Sequence, residues 1–445
     1  MKEDLYAEFF YGKKVTVMGL GLLGRGIGDT QFLAENSAEL IVTDMKDKEV
    51  LAESVKALAG YKDITYHLGA HVPTDFEKRD FILKAAGVPL DSPYITHAKS
   101  LEIPVFMSAA LVVHIITKLN LGVTVIGVTG TRGKSTVTQL VAHILASSGL
   151  RVFLGGNVRG VSNLPLLKAL EEGDYLVLEL DSWQLQGFGD LKISPHISVF
   201  TSFLDDHMNY YKDNVEAYFN DKAHIYRHQK EYDVLIASPQ ATQEIRARDS
   251  KAVISIPEEL HFEMNLIGEH NQVAARLAYD AASQCGLSDE EIRKAISTFV
   301  GVEGRLQDLG LFGGDKKVRV FNDNNATTGD ATIAAIDAIN ETYNKKPILI
   351  IGGSDKGLPL ASLEQSILVG VKTCVFLVGT GTTRLALSKE YIFETLEECV
   401  EKAIEIAHED DIILFSPAFA SFSQHFNNEY EKNDAFVKEI EKYKK

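Results

Sequence analysis

The chain has 445 residues, with 45 Lys and Arg against 62 Asp and Glu, for a formal net charge of −17. At roughly 100–200 residues per domain that length predicts about three domains, and 45% hydrophobic with 24% charged residues is the composition of a protein with real cores. The spread of acid disfavours nucleic-acid and membrane-surface partners, and three scattered cysteines (Cys285, Cys374, Cys399) disfavour a disulfide framework or a zinc site.

The longest apolar stretch, residues 103–116, contains His114 and is too short for a bilayer, so no membrane insertion is expected. The opening Met1-Lys2-Glu3-Asp4 is acidic and precedes no apolar segment, so it does not read as a signal peptide. A cytoplasmic protein, acting as a monomer, is the expectation.

In chain order, residues 14–19 read as a buried strand running into Gly19-Leu20-Gly21-Leu22-Leu23-Gly24. Apolar residues then fall at helical spacing, and a second strand, residues 39–44, ends in Asp44. Strand, glycine turn, helix and strand with a terminal acid is a mononucleotide-binding pattern. The glycine cluster could hold a dinucleotide with Asp44 on a ribose, hold another nucleotide, or serve only as a tight turn. Runs at 81–83 and 104–106 extend a parallel sheet.

A second block opens with the strand 124–128 and adds strands at 175–180, 196–200 and 233–237, closed by a helix over 271–285. A third, from about Gly301, has strands at 318–321, 347–351, 373–378 and 411–415. Alternating strand and helix predicts an α/β fold with three largely parallel sheets: a Rossmann-like first domain (1–107), a P-loop ATPase-type centre (108–300) and a Rossmann-like third domain (301–445).

The sharpest motif is Thr129-Gly130-Thr131-Arg132-Gly133-Lys134-Ser135-Thr136, between a strand and a helix expected from Val137. A glycine-rich turn at a helix N-terminus presents backbone N–H groups to phosphate oxygens. Lys134 would reach the β/γ-phosphates and Ser135 a Mg²⁺ ion, although Val128 stands where the strict P-loop pattern has its first glycine. Glu179 ends an apolar strand, where a carboxylate needs a partner, and a magnesium role or a solvent-facing end both fit. On chemistry alone, Asp205-Asp206-His207 reads as a cap or surface turn, Lys222 and Lys356 as solvated lysines, and Trp183 as packing.

Taken together, these loops resemble the Mur ligases, the ATP-dependent amino-acid-adding enzymes of peptidoglycan synthesis. Residues 129–136 look like their phosphate loop, with Arg132 where the family has Asn. Gly155-Gly156-Asn157 is similar to their muramoyl-substrate loop, and Glu179-Leu180-Asp181-Ser182-Trp183-Gln184-Leu185 to a Glu-Leu-Ser-Ser-Phe-Gln-Leu motif. Asp206-His207-Met208 resembles their Asp-His-Met, with Lys222 where the family carries a carbamylated lysine. Gly268-Glu269-His270-Asn271 resembles a Gly-x-His-Asn stretch that contacts nucleotide.

Within the family, Gly19-Leu20-Gly21-Leu22, Asn322-Asp323-Asn324-Asn325-Ala326-Thr327 and Ser416-Pro417-Ala418-Phe419-Ala420-Ser421-Phe422 resemble the branch that adds D-glutamate to UDP-N-acetylmuramoyl-L-alanine. The resemblance implies ATP on Gly130–Thr136, Asn271, Arg305 and Asp323, and two Mg²⁺ ions on Ser135, Glu179, His207 and carbamylated Lys222. It implies catalysis by Lys134, Glu179, His207 and Lys222. The muramoyl nucleotide would meet Gly19, Leu20, Gly21, Leu22, Asp44, Asn157 and Ser182, while D-glutamate would meet Thr327, Lys356, Ser421 and Phe422. The chain departs from the pattern at Asn325 (for Lys), Gly304 (for His), Asp181 (for Ser) and Asn427 (for Lys), with one residue inserted between Ser421 and Phe426. The alternatives are a sister ligase for another amino acid, a folate-type polyglutamate ligase, an NAD-dependent oxidoreductase, and a binding protein without activity.

Overall fold

The computed structural model describes residues 6–21, 24–36, 39–89, 91–420, 426 and 428–444. Leu22, Ser421, Phe422 and Asn427 of the expected site lie outside these residues. The chain divides into two compact units, one of residues 1–260 and 276–292, the other of 261–275 and 293–445.

The first unit carries two five-stranded parallel sheets. One comprises β1 (Lys14–Met18), β2 (Glu39–Asp44), β3 (Ile64–Leu68), β4 (Phe81–Lys84) and β5 (Val105–Phe106), in the order β3-β2-β1-β4-β5. The other comprises β6 (Thr124–Thr129), β7 (Val152–Gly156), β8 (Tyr175–Glu179), β9 (Ile197–Phe200) and β10 (Val234–Ala237), in the order β10-β9-β6-β8-β7. Continuous apolar runs form these strands because helices cover both faces of a parallel sheet. The apolar stretch noted in the sequence becomes the helix Ser108–Lys118, which buries Leu111, Val112, Val113, Ile115 and Ile116 in the core that both sheets share. Each fully buried Leu or Ile contributes roughly 1.5–3 kcal/mol. Among the described residues no helix is long and apolar enough to cross a membrane.

The second unit holds β11 (Gln307–Phe312), β12 (Val318–Asn322), β13 (Ile348–Ile351), β14 (Thr373–Leu377), β15 (Tyr391–Phe393) and β16 (Ile412–Phe415). Their order is β11-β12-β16-β13-β14-β15, parallel except for the antiparallel edge pair β11–β12. Side chains alternate between two cores: Val318, Val320, Ile348 and Ile350 enter one, Phe321, Leu349 and Ile351 the other. The sequence reading missed β3, β7, β11 and β15, of which β3, β11 and β15 lie at sheet edges and β7 at an edge running into the expected substrate loop. Edge strands bury less and carry a weaker apolar run.

In each sheet the chain reverses its winding direction near the centre, and an open parallel sheet binds ligands there, beyond the carboxyl ends of its strands. The expected residues lie at those ends: Gly130 after β6, Glu179 at the end of β8, Asp206 and His207 after β9, and Asp323 after β12.

Candidate functional site: a phosphate loop with a buried lysine

β6 delivers the chain into Gly130, whose φ is 148°. A Cβ there would stand 2.0 Å from the Thr201 hydroxyl oxygen, so glycine is required by the close approach of the β9 end. The following residues are tied to that same segment. Thr131 N–H donates to the Ser202 carbonyl at 2.7 Å, Arg132 N–H donates to the Ser202 hydroxyl at 2.9 Å, and the Arg132 guanidinium pairs with Asp206 at 2.9 Å. The helix begins at Lys134, three residues before the expected start, because left-handed Gly133 (φ 84°) is its N-cap. Ser135 and Thr136 therefore lie in its first turn, both buried, where N–H groups have no carbonyl of their own helix to meet.

The Lys134 ammonium donates to the Gly130 carbonyl at 2.9 Å and to that of Thr131 at 3.2 Å. Lys222, on the helix Val215–Ala223, donates to the same Gly130 carbonyl at 2.8 Å. Its ammonium lies 4.9 Å from the centre of the Tyr218 ring, and the side chain is 2% exposed. This corrects the reading of Lys222 as a solvated lysine. A helix lysine looks solvent-facing when only local composition is considered, and here the packing of Tyr218 and Phe219 under the phosphate loop overrides it. Burial, followed by repulsion from Lys134, holds Lys222 well below the ordinary lysine range.

His207 has a left-handed backbone (φ 56°) before the short helix Met208–Tyr211. It is partly buried, and the Trp183 ring centre lies 4.9 Å from its own. Trp183 is thus packing of a particular kind, a wall for this imidazole. Burial, with Lys134 and Lys222 opposing a further cation, pushes His207 down, while Asp206 pulls the other way. The imidazole is accordingly neutral, the form that can ligate a metal. Glu179 is 6% exposed and pairs in register with Val128, two residues before Gly130. Among the described residues no three His, Cys, Asp or Glu side chains group as a metal site. A hydroxyl (Ser135), one buried carboxylate and one neutral imidazole around a phosphate loop instead fit magnesium, which takes few protein ligands and completes its shell with phosphate and water oxygens.

Around the expected nucleotide-sugar residues, Asp44 accepts from Gly21 N–H at 3.2 Å and Lys46 N–H at 2.9 Å, closing the first glycine loop. Leu20 is buried, and Gly19 N–H donates to the Thr43 carbonyl at 2.9 Å. Asn157 N–H donates to the Glu179 carbonyl at 2.7 Å, and its side-chain oxygen accepts from Arg25. Asp181, one of the departures from the family pattern, caps the helix Ser182–Leu191 in a reciprocal pair with Gln184, leaving Ser182 buried in the first turn. Asp and Ser are both good N-caps, so this exchange preserves the turn.

In the second unit, Asn271 donates from its carboxamide to the Ile267 carbonyl at 2.8 Å. Asp323 is buried, accepting from Leu306 N–H at 3.0 Å and from the Ser416 hydroxyl at 2.9 Å. Burial pushes its carboxyl up to about 7 against those bonds and the nearby Arg305. The exposed Lys356 donates to the Thr327 hydroxyl at 2.9 Å, so two expected D-glutamate residues meet. Sequence reasoning missed Tyr218, Thr201, Arg25 and Asn163, whose side chain accepts from Gly156 N–H at 2.7 Å. Only their contacts with residues distant in sequence mark them.

The family model of the Mur ligase middle domain matches residues 128–259, and that of the MurD-like N-terminal domain of Mur ligases matches residues 13–107. A UDP-N-acetylmuramoylalanine--D-glutamate ligase of Borreliella afzelii is 32% identical, covering 96% of this chain and 97% of that protein. The ligase of the same name from Roseiflexus sp. is also 32% identical, over 97% and 99%. In fold, the chain resembles the UDP-N-acetylmuramate-alanine ligase MurC of Thermotoga maritima, with a TM-score of 0.62 and 18% identity over 97% and 99% of the two chains. It also resembles the MurF ligase of Thermotoga maritima in complex with ADP, with a TM-score of 0.60 and 15% identity over 98% and 96%. The chain belongs to the Mur ligase family. Curated relatives named for D-glutamate addition match it along nearly its whole length at 30–32% identity.

Proposed function

We propose that the chain is an ATP-dependent ligase that joins D-glutamate to UDP-N-acetylmuramoyl-L-alanine, making a peptidoglycan precursor in the cytoplasm as a monomer. The observation that carries the reading is the meeting of Lys134 and Lys222 on the Gly130 carbonyl, beside neutral His207. Burial and the neighbouring Lys134 disfavour the charged form of Lys222, and an uncharged amine is the form that adds CO₂, losing a proton and becoming a carbamate anion. Domain limits at 1–107, 108–300 and 301–445 assign the nucleotide sugar, ATP and D-glutamate to the three sheets in turn.

In this reading the phosphate loop, residues 130–136, binds the ATP phosphates through its N–H groups, and Lys134 turns from loop carbonyls to the β/γ-phosphates. Asn271, Arg305 and Asp323 serve the same nucleotide. Gly19, Leu20, Gly21, Leu22, Asp44, Asn157 and Ser182 hold the muramoyl nucleotide, and Thr327, Lys356, Ser421 and Phe422 hold D-glutamate. Two Mg²⁺ ions on Ser135, Glu179, His207 and carbamylated Lys222 would supply neutralisation of charge on the transferring phosphoryl group. The substrate carboxylate attacks the γ-phosphorus and ADP leaves. The D-glutamate amine then attacks the acyl phosphate carbonyl, phosphate leaves, and the amine gives up a proton. Positioning and preorganised charge provide most of such a rate enhancement.

The test is phosphate release from ATP and Mg²⁺ with UDP-N-acetylmuramoyl-L-alanine, with and without D-glutamate. Release that requires both supports the reading; no release with any muramoyl nucleotide and amino acid pair rejects it.

A further inference from the structure

Three lysines are buried among the described residues: Lys84, Lys222 and Lys432. Lys84 is held by the carbonyls of Ala85 and Val88, and Lys222 by that of Gly130. Lys432, on the first turn of the helix Glu429–Glu441, is 2% exposed, and its ammonium has no hydrogen-bond partner among the described residues. A buried ammonium with three unused donors is expensive, by several kcal/mol, and leucine or methionine would fill the same volume without that cost.

Its surroundings place it at the carboxyl ends of β12, β16 and β13. The ammonium lies 5.9 Å from the centre of the Phe415 ring at the end of β16. The carbonyl of Glu429, one turn earlier on the same helix, accepts from the Asn324 carboxamide at 2.8 Å, in the loop that leads to Thr327. The charged groups that act on Lys432 are Glu429, which favours the cation, and Lys356 from the loop after β13, which opposes it. Burial and Lys356 together bring its ordinary value down to about 7, with burial the larger cause. The mutual repulsion of Lys356 and Lys432 is what a dianion placed against both would relieve.

We propose that Lys432 is a specificity-determining residue of the amino-acid site, taking one carboxylate of an acidic amino acid while Lys356 with Thr327 takes the other. The assignment rests on the D-glutamate reading above and adds to it the means by which a dicarboxylate is told from its amide. Lys432 lies in the long-stemmed class of side chains whose ammonium swings to meet an anion. A monocarboxylate leaves one of the two cations uncompensated and is disfavoured accordingly.

The test uses the full chain with UDP-N-acetylmuramoyl-L-alanine, comparing D-glutamate with D-glutamine. Lys432→Met is expected to raise KM for D-glutamate by about 10- to 100-fold, the range of one charge-assisted hydrogen bond, with kcat little changed and the preference over D-glutamine lost. Calorimetry of D-glutamate binding, with a non-hydrolysable ATP analogue, in buffers of different ionisation enthalpy at pH 8 adds a readout that packing alone would not move. Wild type is expected to take up a proton as Lys432 becomes charged. Lys432→Arg, charged throughout, should keep the preference without the uptake, and it serves as the variant should Lys432→Met fail to fold. Unchanged KM and preference in Lys432→Met, or no proton uptake by the wild type, would overturn the assignment while leaving the ligase reading intact. Absence of D-glutamate ligation by the wild type would overturn both.

Discussion

Lys134 and Lys222 donate to one carbonyl oxygen, that of Gly130, at 2.9 and 2.8 Å. Two amino groups directed at one acceptor are electrostatically coupled, and the coupling has a sign. The charge on Lys134 opposes that on Lys222, so removing it moves the Lys222 amine back towards its ordinary range. In Lys134→Met the Lys222 resonance, followed by NMR of the reductively ¹³C-methylated protein, should titrate at higher pH than in wild type. Activity should fall by about 10²–10³, the scale for losing one preorganised charge at a transferring group. An unmoved titration would show that the two ammonium groups do not sense each other.

Replacement of Lys222 by alanine removes the carbamate that we propose. The expected outcome is a loss of activity of about 10²-fold or more, partly recovered by acetate or another short carboxylate that fits the vacated volume. Stripping CO₂ and bicarbonate from the buffer should slow the wild type and leave Lys222→Ala unaffected. Full activity in the variant would remove Lys222 from the mechanism.

Much of this site was legible in the sequence, for reasons that differ by residue. Gly130, Gly133 and Lys134 were found because a phosphate loop is a local device, a strand, a turn and a helix start within a dozen residues. Lys222 was invisible to local reasoning and emerged through family resemblance, since its burial depends on Gly130, some ninety residues away. The three sheets followed from apolar runs. The strands that escaped, β3, β7, β11 and β15, are edges, and β11 has the burial pattern of a half-exposed antiparallel strand. Lys432 gave no signal at all, because a lysine in a charged helical turn looks like any other until its neighbours are known.

Asp323 yields a stability prediction. Its carboxyl titrates near 7 in the fold against an ordinary 3.8. A raised carboxylate value means that its contribution is full below the unfolded value and is lost as pH rises through the folded one. Wild type should therefore lose stability relative to Asp323→Asn between about pH 4 and pH 7, at a slope of at most ~1.4 kcal/mol per pH unit. Urea unfolding of both proteins at intervals across that range measures the difference; parallel curves would refute it.

Gly304 and Asn325, two of the expected departures from the family pattern, are neighbours in the structure. Asn325 N–H donates to the Gly304 carbonyl at 2.9 Å. Gly304 has φ 67°, and a Cβ on it would lie 3.0 Å from the Asn433 side-chain oxygen and 3.1 Å from the Asn325 side-chain nitrogen. The variant Gly304→His, which restores the family's residue, should lower stability by about 1–3 kcal/mol from the left-handed backbone and the crowding. Chemical denaturation of Gly304→His beside wild type measures the loss. Equal stability of Gly304→His and wild type would show that the pocket is looser than these distances imply.

The contact between the helix Arg25–Glu35 and the segment after β7 has a consequence for evolution and for engineering. Arg25 bonds Asn157, the Ser162 hydroxyl donates to the Arg25 carbonyl at 2.8 Å, and Leu164 N–H donates to buried Asp29 at 2.8 Å. The segments proposed to hold the nucleotide and the muramoyl group are therefore tied to each other by protein contacts, which set their spacing. A transplanted N-terminal domain would lose that spacing unless residues 157, 162 and 164 travelled with it.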